Sequence, residues 1–345
     1  MKCHLHSLIV TPHHQAISRL YNMTQTIRTT AADRFSSFDV HQTLYKQIGK
    51  SSISVGLLIP KDIKPGKHPI HVKYHGGGLI TGDALFPDWF ANYLVSFTHR
   101  TSSIMVLPNY RFVPEHSGAD ILEDIRDFWT WVDHHLVKFL QGVAPGIEVD
   151  LDRLLVSGDS YGGWLALHSV FELPEGRIKA LFLEYPMAKK WCKTKEWLEE
   201  RGKPAPGEEV IDKHLVQLAE GSVVYSAIPG DPARDTLAYA FSASQRYWDR
   251  AFGTDRKLHP IERLGERKQF PPSLILHGDA DTAVDLKDSE DFVQRIGQVM
   301  GPLVADEVHL VVREGEEHGF DIDIVEEEVL WLAKELQWLE KVWLR

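Results

Sequence analysis

From residue 50 onwards, short apolar runs alternate with longer segments whose apolar residues recur every three or four positions. Residues 104–107 (IMVL), 153–157 (RLLVS), 180–183 (ALFL) and 273–276 (SLIL) are runs of the first kind. Short apolar runs between turn-forming residues are characteristic of buried strands, and the intervening segments have helical spacing. Strands that alternate with helices predict an α/β fold, with a mostly parallel central sheet covered by helices on both faces.

Two parts of the chain stand outside this alternation. Residues 1–45 are polar and only weakly helical, and residues 187–269 interrupt the sheet between two predicted strands. By their position, both segments are expected to form a lid at one edge of the sheet. Residues 46–186 and 270–345 are then the first and second parts of the core.

Composition narrows the class of protein. With 345 residues, 43% hydrophobic and 25% charged, the chain has the composition of a soluble globular protein. A net charge of −11 argues against nucleic acid or an anionic membrane surface as partner. The two cysteines, Cys3 and Cys192, give no disulfide framework, and no Cys/His set has zinc spacing. No apolar run reaches the roughly 18 residues of a membrane span or resembles a secretory signal, so the expected location is cytoplasmic.

Residues 158–162 (GDSYG) match G-x-S-x-G, the sharp strand-to-helix turn that exposes a nucleophilic serine. The backbone of such a serine is strained, and Gly158, Gly162 and Gly163 give the turn the room it needs. A bare G-x-S-x-G is a weak signal, because glycine and serine are common in turns. The strand-like run before it and the helix-like run after it are what identify Ser160 as the nucleophile.

Residues 75–78 (HGGG) supply what a nucleophilic serine lacks. Attack on an ester carbonyl puts negative charge on its oxygen, and hydrogen-bond donors fixed in advance stabilise that charge. The backbone amides of Gly77 and Gly78, with that of Tyr161 just after the serine, are the expected donors. Alone, HGGG is equally compatible with an ordinary glycine turn. Phosphate binding by residues 76–82 is disfavoured because no G-K-[ST] follows this segment and it does not match G-x-G-x-x-G.

A serine nucleophile also needs a base and an orienting acid, which in this kind of fold follow it in the order acid, then histidine. Asp281 lies a few residues beyond a predicted strand and is favoured as the acid. Asp279, Asp285 and Glu184 remain alternatives. His318 lies in the loop after the last predicted strand and before the final helix, which distinguishes it among the 18 histidines of the chain.

Taken together, five segments resemble the α/β-hydrolase fold-3 family, in its hormone-sensitive-lipase-like branch. They are residues 75–78 (HGGG), 109–115 (NYRFVPE), 158–163 (GDSYGG), 277–281 (HGDAD) and 317–320 (EHGF). The resemblance runs from about residue 50 to the C-terminus. It implies a Ser160–Asp281–His318 triad with an oxyanion hole in the HGGG loop, and it requires no cofactor and no metal.

The chain departs from the family pattern beside the nucleophile. Tyr161 stands where the family usually carries alanine, so a large ring is expected next to the site, where it bears on the size of the acyl pocket. From the lid insertion, Tyr247 and Trp248 are further candidates for contact with an apolar acyl or alcohol group. Most aromatic residues of the lid are nevertheless expected to pack the lid onto the core.

These residues predict a serine hydrolase that cleaves the carboxylic ester of a small molecule with an apolar portion, through an acyl-enzyme on Ser160. The alternative is biosynthetic: an alcohol or amine captures the acyl group, or a thioester is released or lactonised, as in fungal secondary metabolism. A ligand receptor on a disarmed hydrolase, like the plant gibberellin receptors, is less favoured because those lack the histidine that His318 provides. The oligomeric state stays open, a homo-oligomer included.

Overall fold

One eight-stranded sheet organises the computed structural model, which describes residues 29–189 and 193–345. The strands are β1 (Phe38–Ile48), β2 (Ser51–Pro60), β3 (Gly66–Tyr74), β4 (Ile104–Pro108), β5 (Ile147–Asp159), β6 (Ile178–Glu184), β7 (Ser273–Gly278) and β8 (Val308–Arg313). Their order across the sheet is β1-β2-β4-β3-β5-β6-β7-β8. The pairs β1–β2 and β2–β4 are antiparallel, and the other neighbouring pairs are parallel. The predicted α/β class with a mostly parallel sheet is confirmed.

Helices connect and cover these strands. In the described part of the chain they are α1 (Tyr93–Thr101), α2 (Gly118–His134), α3 (Leu136–Val143), α4 (Tyr161–Glu172), α5 (Lys195–Glu200), α6 (Glu209–Gln217), α7 (Pro232–Ser242), α8 (Gln245–Ala251), α9 (Pro260–Arg263), α10 (Leu286–Met300), α11 (Pro302–Ala305) and α12 (Leu330–Trp343). Single 3₁₀ turns occupy Ala31–Asp33, Pro87–Trp89, Arg256–Leu258, Leu264–Glu266 and Glu326–Glu328. None of the helices described is both long and apolar enough to cross a membrane.

The sheet separates two hydrophobic clusters. One lies under α2, α3, α4 and α10, and the other under α1 and α12. Leu155 and Val156 on β5 belong to different clusters, because successive side chains of a strand point to opposite faces. Strand β5 is thus buried on both faces, and its carboxyl end is held rigidly where it turns into α4.

The sheet begins earlier than the sequence analysis placed it. Residues 38–48 form β1, so the part of the expected lid segment 1–45 from Phe38 onwards belongs to the core, while residues 1–28 lie outside the described residues. Among the described residues, strand β1 pairs with β2 alone, and its Val40 and Leu44 are 45% and 55% exposed. An edge strand of this kind lacks the continuous apolar run of a buried one, which is why the sequence pattern did not reveal it.

The insertion between β6 and β7 contributes helices α5 to α9 and is tied to the loop that follows β3. Arg234 on α7 is buried, donates from Nε to the carbonyl of Ile80 at 2.8 Å, and pairs with the buried Glu115. The backbones of Gly82 and Ala227 form a bridge with an N···O distance of 2.9 Å. These contacts bring the insertion to the carboxyl edge of the parallel strands.

Candidate active site

Ser160 lies at the sharp turn between β5 and α4. Its φ of 54° and ψ of −119° are in a region that residues other than glycine rarely adopt. The backbone holds it there: the Ser160 amide donates to the carbonyl of Glu184 at 2.9 Å, and its carbonyl accepts from the amide of Gly163 at 3.0 Å. A strained serine at a strand-to-helix turn is the geometry that the G-x-S-x-G motif predicts.

Two glycines of this turn are required by close backbone approach. A Cβ atom on Gly158 would lie 2.1 Å from the carbonyl oxygen of Gly162, and one on Gly162 would lie 2.2 Å from that of Tyr74. Both distances are far below van der Waals contact. Any side chain at these positions would therefore open the turn that presents Ser160.

The HGGG loop faces the same cavity as Ser160. Gly77 and Gly78 both have positive φ values, 101° and 67°, and both line the cavity. Within residues 29–189 and 193–345, neither of these two amides donates a hydrogen bond to another protein group. Tyr161, the third expected donor, is the first residue of α4 and lies in the same cavity wall. The loop thus presents backbone donors beside the serine.

The 109–115 motif supports the HGGG loop from behind. The Tyr110 hydroxyl donates to the carbonyl of His75 at 2.6 Å, and the two rings stack with centroids 4.5 Å apart. The amide of Val113 donates to the carbonyl of Leu79 at 2.8 Å. These bonds fix the loop before any ligand arrives, as a preorganised oxyanion site requires.

Asp281 and His318 form a hydrogen-bonded pair. Asp281 Oδ2 lies 2.7 Å from His318 Nδ1, and Asp281 Oδ1 accepts the amides of Ala283 and Val284 at 2.8 Å each. Burial of the Asp281 side chain raises its pKa, but hydrogen bonds with His277 and His318 outweigh that effect and hold the pKa well below its usual range. The pair therefore combines an ionised carboxylate with an oriented imidazole.

The other candidate acids have different partners. Asp279 accepts a glycine amide from the loop before His318, Asp285 caps the start of α10, and Glu184 belongs to a buried network on the other side of the nucleophile turn. Of these four described carboxylates, only Asp281 is hydrogen-bonded to His318. The assignment of Asp281 as the acid of a triad stays a prediction.

Ser160 and His318 line the same cavity. The hydrogen bonds of the described residues do not include one between Ser160 Oγ and His318, whose ring packs against Tyr185 with centroids 4.4 Å apart. Catalytic hydrogen bonds are often long in a ligand-free site and tighten when substrate binds. Asp281 engages Nδ1 of His318, and none of the described residues forms a hydrogen bond with the other ring nitrogen, Nε2.

The cavity has a volume of about 390 Å³, which lies in the range of small-molecule sites. Its wall is mostly apolar and combines residues of the core with residues of the insertion between β6 and β7. The apolar and aromatic side chains that line it are Ile80, Trp89, Tyr161, Tyr185, Met187, Trp197, Leu198, Ala238, Tyr239, Ala283, Val284 and Ile322. Such a wall suits a ligand with an apolar portion next to the reacting group.

The aromatic residues of the insertion between β6 and β7 differ in whether they line the cavity. Tyr247 and Trp248, predicted as ligand contacts, are both buried and do not line the cavity; Trp248 stacks on Phe252 with centroids 4.5 Å apart. Trp197 and Tyr239 line it instead. The spacing of apolar residues along a sequence can indicate that a helix has an apolar face. It does not show which residues of that face pack on the core and which contact a ligand.

A family model described as alpha/beta hydrolase fold matches residues 71–322 of this chain, well over half of its length. The chain therefore belongs to the α/β-hydrolase fold family, as the resemblance to its fold-3, hormone-sensitive-lipase-like branch indicated. Residues from the HGGG loop to the His318 loop all fall within the matched range.

The chain is similar in sequence to a probable carboxylesterase of a fungus and to a tuliposide A-converting enzyme of a plant. A probable carboxylesterase, M8 of Phoma sp., is 27% identical over 321 residues, covering 90% of this chain and 98% of that protein. Over 142 residues, 39% of this chain and 37% of that protein, the chain is 30% identical to tuliposide A-converting enzyme b1 of Tulipa gesneriana.

Solved structures share the fold at low identity. An esterase of Pyrobaculum calidifontis has a TM-score of 0.58 and 20% identity, with 95% of this chain and 90% of that chain covered. The carboxylesterase EstE1, from a metagenomic library, has a TM-score of 0.57 and 19% identity, with 96% and 94% covered. At these identities the likeness establishes the fold alone.

Proposed function

We propose that this protein hydrolyses carboxylic esters of small molecules through an acyl-enzyme on Ser160. The observation that carries the proposal is the strained Ser160 in one cavity with the Asp281–His318 pair and the amides of Gly77 and Gly78. The match to a probable carboxylesterase along nearly the whole chain supports the same reaction class.

In the first half of the reaction, Ser160 Oγ attacks the ester carbonyl carbon while His318 Nε2 takes the hydroxyl proton. The negative charge that develops on the carbonyl oxygen is stabilised by the amides of Gly77, Gly78 and Tyr161. When the tetrahedral intermediate collapses, the bond to the alcohol oxygen breaks, and His318 gives the proton to the leaving alcohol. The acyl group is then bound to Ser160.

In the second half, His318 takes a proton from a water molecule, and the resulting hydroxide attacks the acyl carbon. The same backbone amides stabilise the second oxyanion. Collapse breaks the bond to Ser160 Oγ, which recovers its proton from His318, and a carboxylic acid leaves. The ionised Asp281 stabilises the imidazolium in both halves without itself taking the proton.

The cavity wall indicates what the ester carries. Tyr161 and Tyr185 stand close to the reacting end, and Trp197 and Tyr239 close the wall from the lid. Burial of an apolar group against these rings contributes about 25 cal/mol for each Å² removed from water. The substrate is therefore a small ester with an apolar acyl or alcohol portion.

A fluorophosphonate probe tests this proposal. It is expected to add one adduct to the intact protein, located on the peptide that contains Ser160, and to leave Ser160→Ala unlabelled. His318→Asn should fold normally and label far more slowly, because the base is lost. Labelling of Ser160→Ala to the same extent as wild type, or of another residue, would refute the serine mechanism. Assays with and without an added alcohol then show whether water or the alcohol takes the acyl group.

A further inference from the structure

Behind the nucleophile turn, ionisable side chains from three neighbouring strands meet in the interior. Lys73 on β3 forms an ion pair with Asp159 on β5, and its Nζ lies 3.4 Å from Oε2 of Glu184 on β6. Lys73 and Glu184 are 5% and 1% exposed at their side chains. Asp159 Oδ2 also accepts the amide of Gly76 at 2.9 Å, so this cluster touches the HGGG loop directly.

Tyr93 extends the cluster toward the histidine loop. Its hydroxyl oxygen, from helix α1, lies 2.6 Å from Glu184 Oε1 and 2.7 Å from Asp321 Oδ2. A phenol has one hydrogen, so it can donate fully to only one of these two oxygens. An ionised carboxylate only accepts hydrogen bonds. The second short contact therefore requires that one of the two carboxyl groups carry a proton and donate it to the Tyr93 oxygen.

The surroundings assign this proton to Glu184. Asp321 also accepts the hydroxyl of Tyr185, at 2.9 Å, so its two oxygens have two phenol donors. Lys73 contacts Asp159 more closely than Glu184. Burial raises the pKa of Glu184 to about 8; Lys73 opposes this, and the charges of Asp321 and Asp159 add to it. A proton on Glu184 satisfies both contacts of Tyr93 and leaves the two oxygens of Asp321 to accept the hydrogens of Tyr93 and Tyr185.

We propose that Glu184 works as a neutral carboxylic acid and positions the catalytic histidine through Tyr93 and Asp321. In this chain of bonds Glu184 donates to Tyr93, and Tyr93 donates to Asp321. Asp321 follows His318 in the same loop and also holds the hydroxyl of Tyr185, whose ring packs on the imidazole. Glu184 is thus a positioning residue, and its catalytic effect rests on the proposed function of His318.

The chain of bonds has a consequence at alkaline pH. When Glu184 loses its proton, two carboxylates compete for the single hydrogen of Tyr93, and Lys73 has three carboxylates to offset, those of Glu184, Asp159 and Asp321. The protonated form is the one that positions the site, so kcat/KM should fall as pH rises through the pKa of Glu184, about 8. Loss of one such buried hydrogen bond corresponds to roughly a tenfold decrease.

A pair of variants separates a neutral acid from a carboxylate. In Glu184→Gln the amide N–H₂ can donate to Tyr93 and the amide oxygen can accept from Lys73, but the group cannot ionise. Glu184→Gln is expected to keep kcat/KM within about threefold of wild type at neutral pH. It should not show the decrease of kcat/KM at alkaline pH, which we call the alkaline limb. Glu184→Leu removes the donor and should lower kcat about tenfold with little change in KM. Glu148→Gln, at an exposed position of β5, is the matched control and should keep the limb.

Tyr93→Phe interrupts the chain of bonds without changing any carboxyl group. It should show the same loss of kcat as Glu184→Leu, while thermal unfolding confirms that both variants are folded. If Glu184→Gln is as impaired as Glu184→Leu, or if it keeps the alkaline limb of the wild type, the neutral-acid assignment is wrong.

An infrared measurement tests the proton on Glu184 without any substrate. Wild-type protein near neutral pH should show the C=O stretch of a protonated buried carboxyl group, absent from Glu184→Gln and titrating with a midpoint at about pH 8. Its absence from the wild type would overturn the proposal. Because this readout does not depend on turnover, a failure of Ser160 labelling would refute the esterase mechanism and leave the protonation result intact.

Discussion

His318 Nδ1 lies 2.7 Å from Asp281 Oδ2, which joins the loop after β8 to the loop after β7. These strands are parallel neighbours, so both loops emerge at the same edge of the sheet. Asp281 is fixed in turn by two backbone amides. The imidazole is therefore held through Nδ1 in the wall of a cavity that Ser160 also lines.

Asp281→Asn should lower kcat by about 10⁴, because an amide at this position favours the wrong histidine tautomer. Asp279→Asn is the matched control, since Asp279 contacts a loop amide and not the imidazole. Steady-state kinetics on an activated ester compares the two variants. A greater loss in Asp279→Asn than in Asp281→Asn would move the acid to Asp279.

The lowered pKa of Asp281 also makes a prediction about stability. An Asp carboxyl group has a pKa of about 3.9 in the unfolded chain. Because the pKa of Asp281 is lower in the folded protein, its ionised form stabilises the fold at pH values above about 3.9. This stabilisation is lost as the pH falls toward the pKa of the folded state. The difference in free energy of unfolding between wild type and Asp281→Asn should therefore shrink from about pH 5 to about pH 3. Denaturant unfolding at several pH values measures it, and a difference that grows on acidification would contradict the assignment.

Tyr161→Ala should shift preference toward bulkier esters. Tyr161 lines the cavity, and its replacement by alanine keeps the backbone amide that we propose as an oxyanion donor. Each large contact regained by a longer acyl group is worth about 1–3 kcal/mol of discrimination. A series of esters of increasing acyl length gives the profile of kcat/KM. An unchanged profile would show that the ring does not limit the acyl pocket.

Replacement of Trp248 and of Tyr239 should have different effects, on stability in the first case and on substrate binding in the second. Trp248 is 2% exposed and stacked on Phe252, so Trp248→Ala should cost about 3–5 kcal/mol in free energy of unfolding. Tyr239 lines the cavity, so Tyr239→Ala should mainly raise KM, with a smaller change in stability. Thermal unfolding and steady-state kinetics on both variants check this division, and the opposite pattern would mean that the lid packs differently when ligand binds.

The order of strands and helices was predictable because most strands are buried on both faces and appear as continuous apolar runs. Residues 273–276, for example, lie within β7. Strand β1 was missed because it lies at the edge of the sheet, where solvent rather than packing surrounds Val40 and Leu44. The insertion 187–269 was recognisable as an interruption of the strand pattern, but the choice between Tyr239 and Trp248 as a cavity residue depends on how its helices pack.

The sequence does not show that Lys73, Asp159, Glu184, Tyr93 and Asp321 contact one another in the interior. Glu184 is a candidate acid because it ends a predicted strand, and Lys73 is the one lysine in residues 69–74 (PIHVKY). Their interaction depends on β3, β5 and β6 being neighbours, which local patterns do not specify. A charged residue inside an apolar run was nevertheless a usable signal, since burying a charge is costly unless it is paired.

The acyl group on Ser160 is the central claim, and it can be observed directly. An activated carbamate, whose acyl-enzyme is hydrolysed slowly, is mixed with the protein, the reaction is quenched with acid, and the peptides are analysed by mass spectrometry. The proposed mechanism predicts a burst of released alcohol equal to the concentration of active sites, with the carbamoyl group on the peptide containing Ser160. Turnover of carboxylic esters by protein that carries no acyl group on Ser160, or that carries it on another residue, would contradict the mechanism.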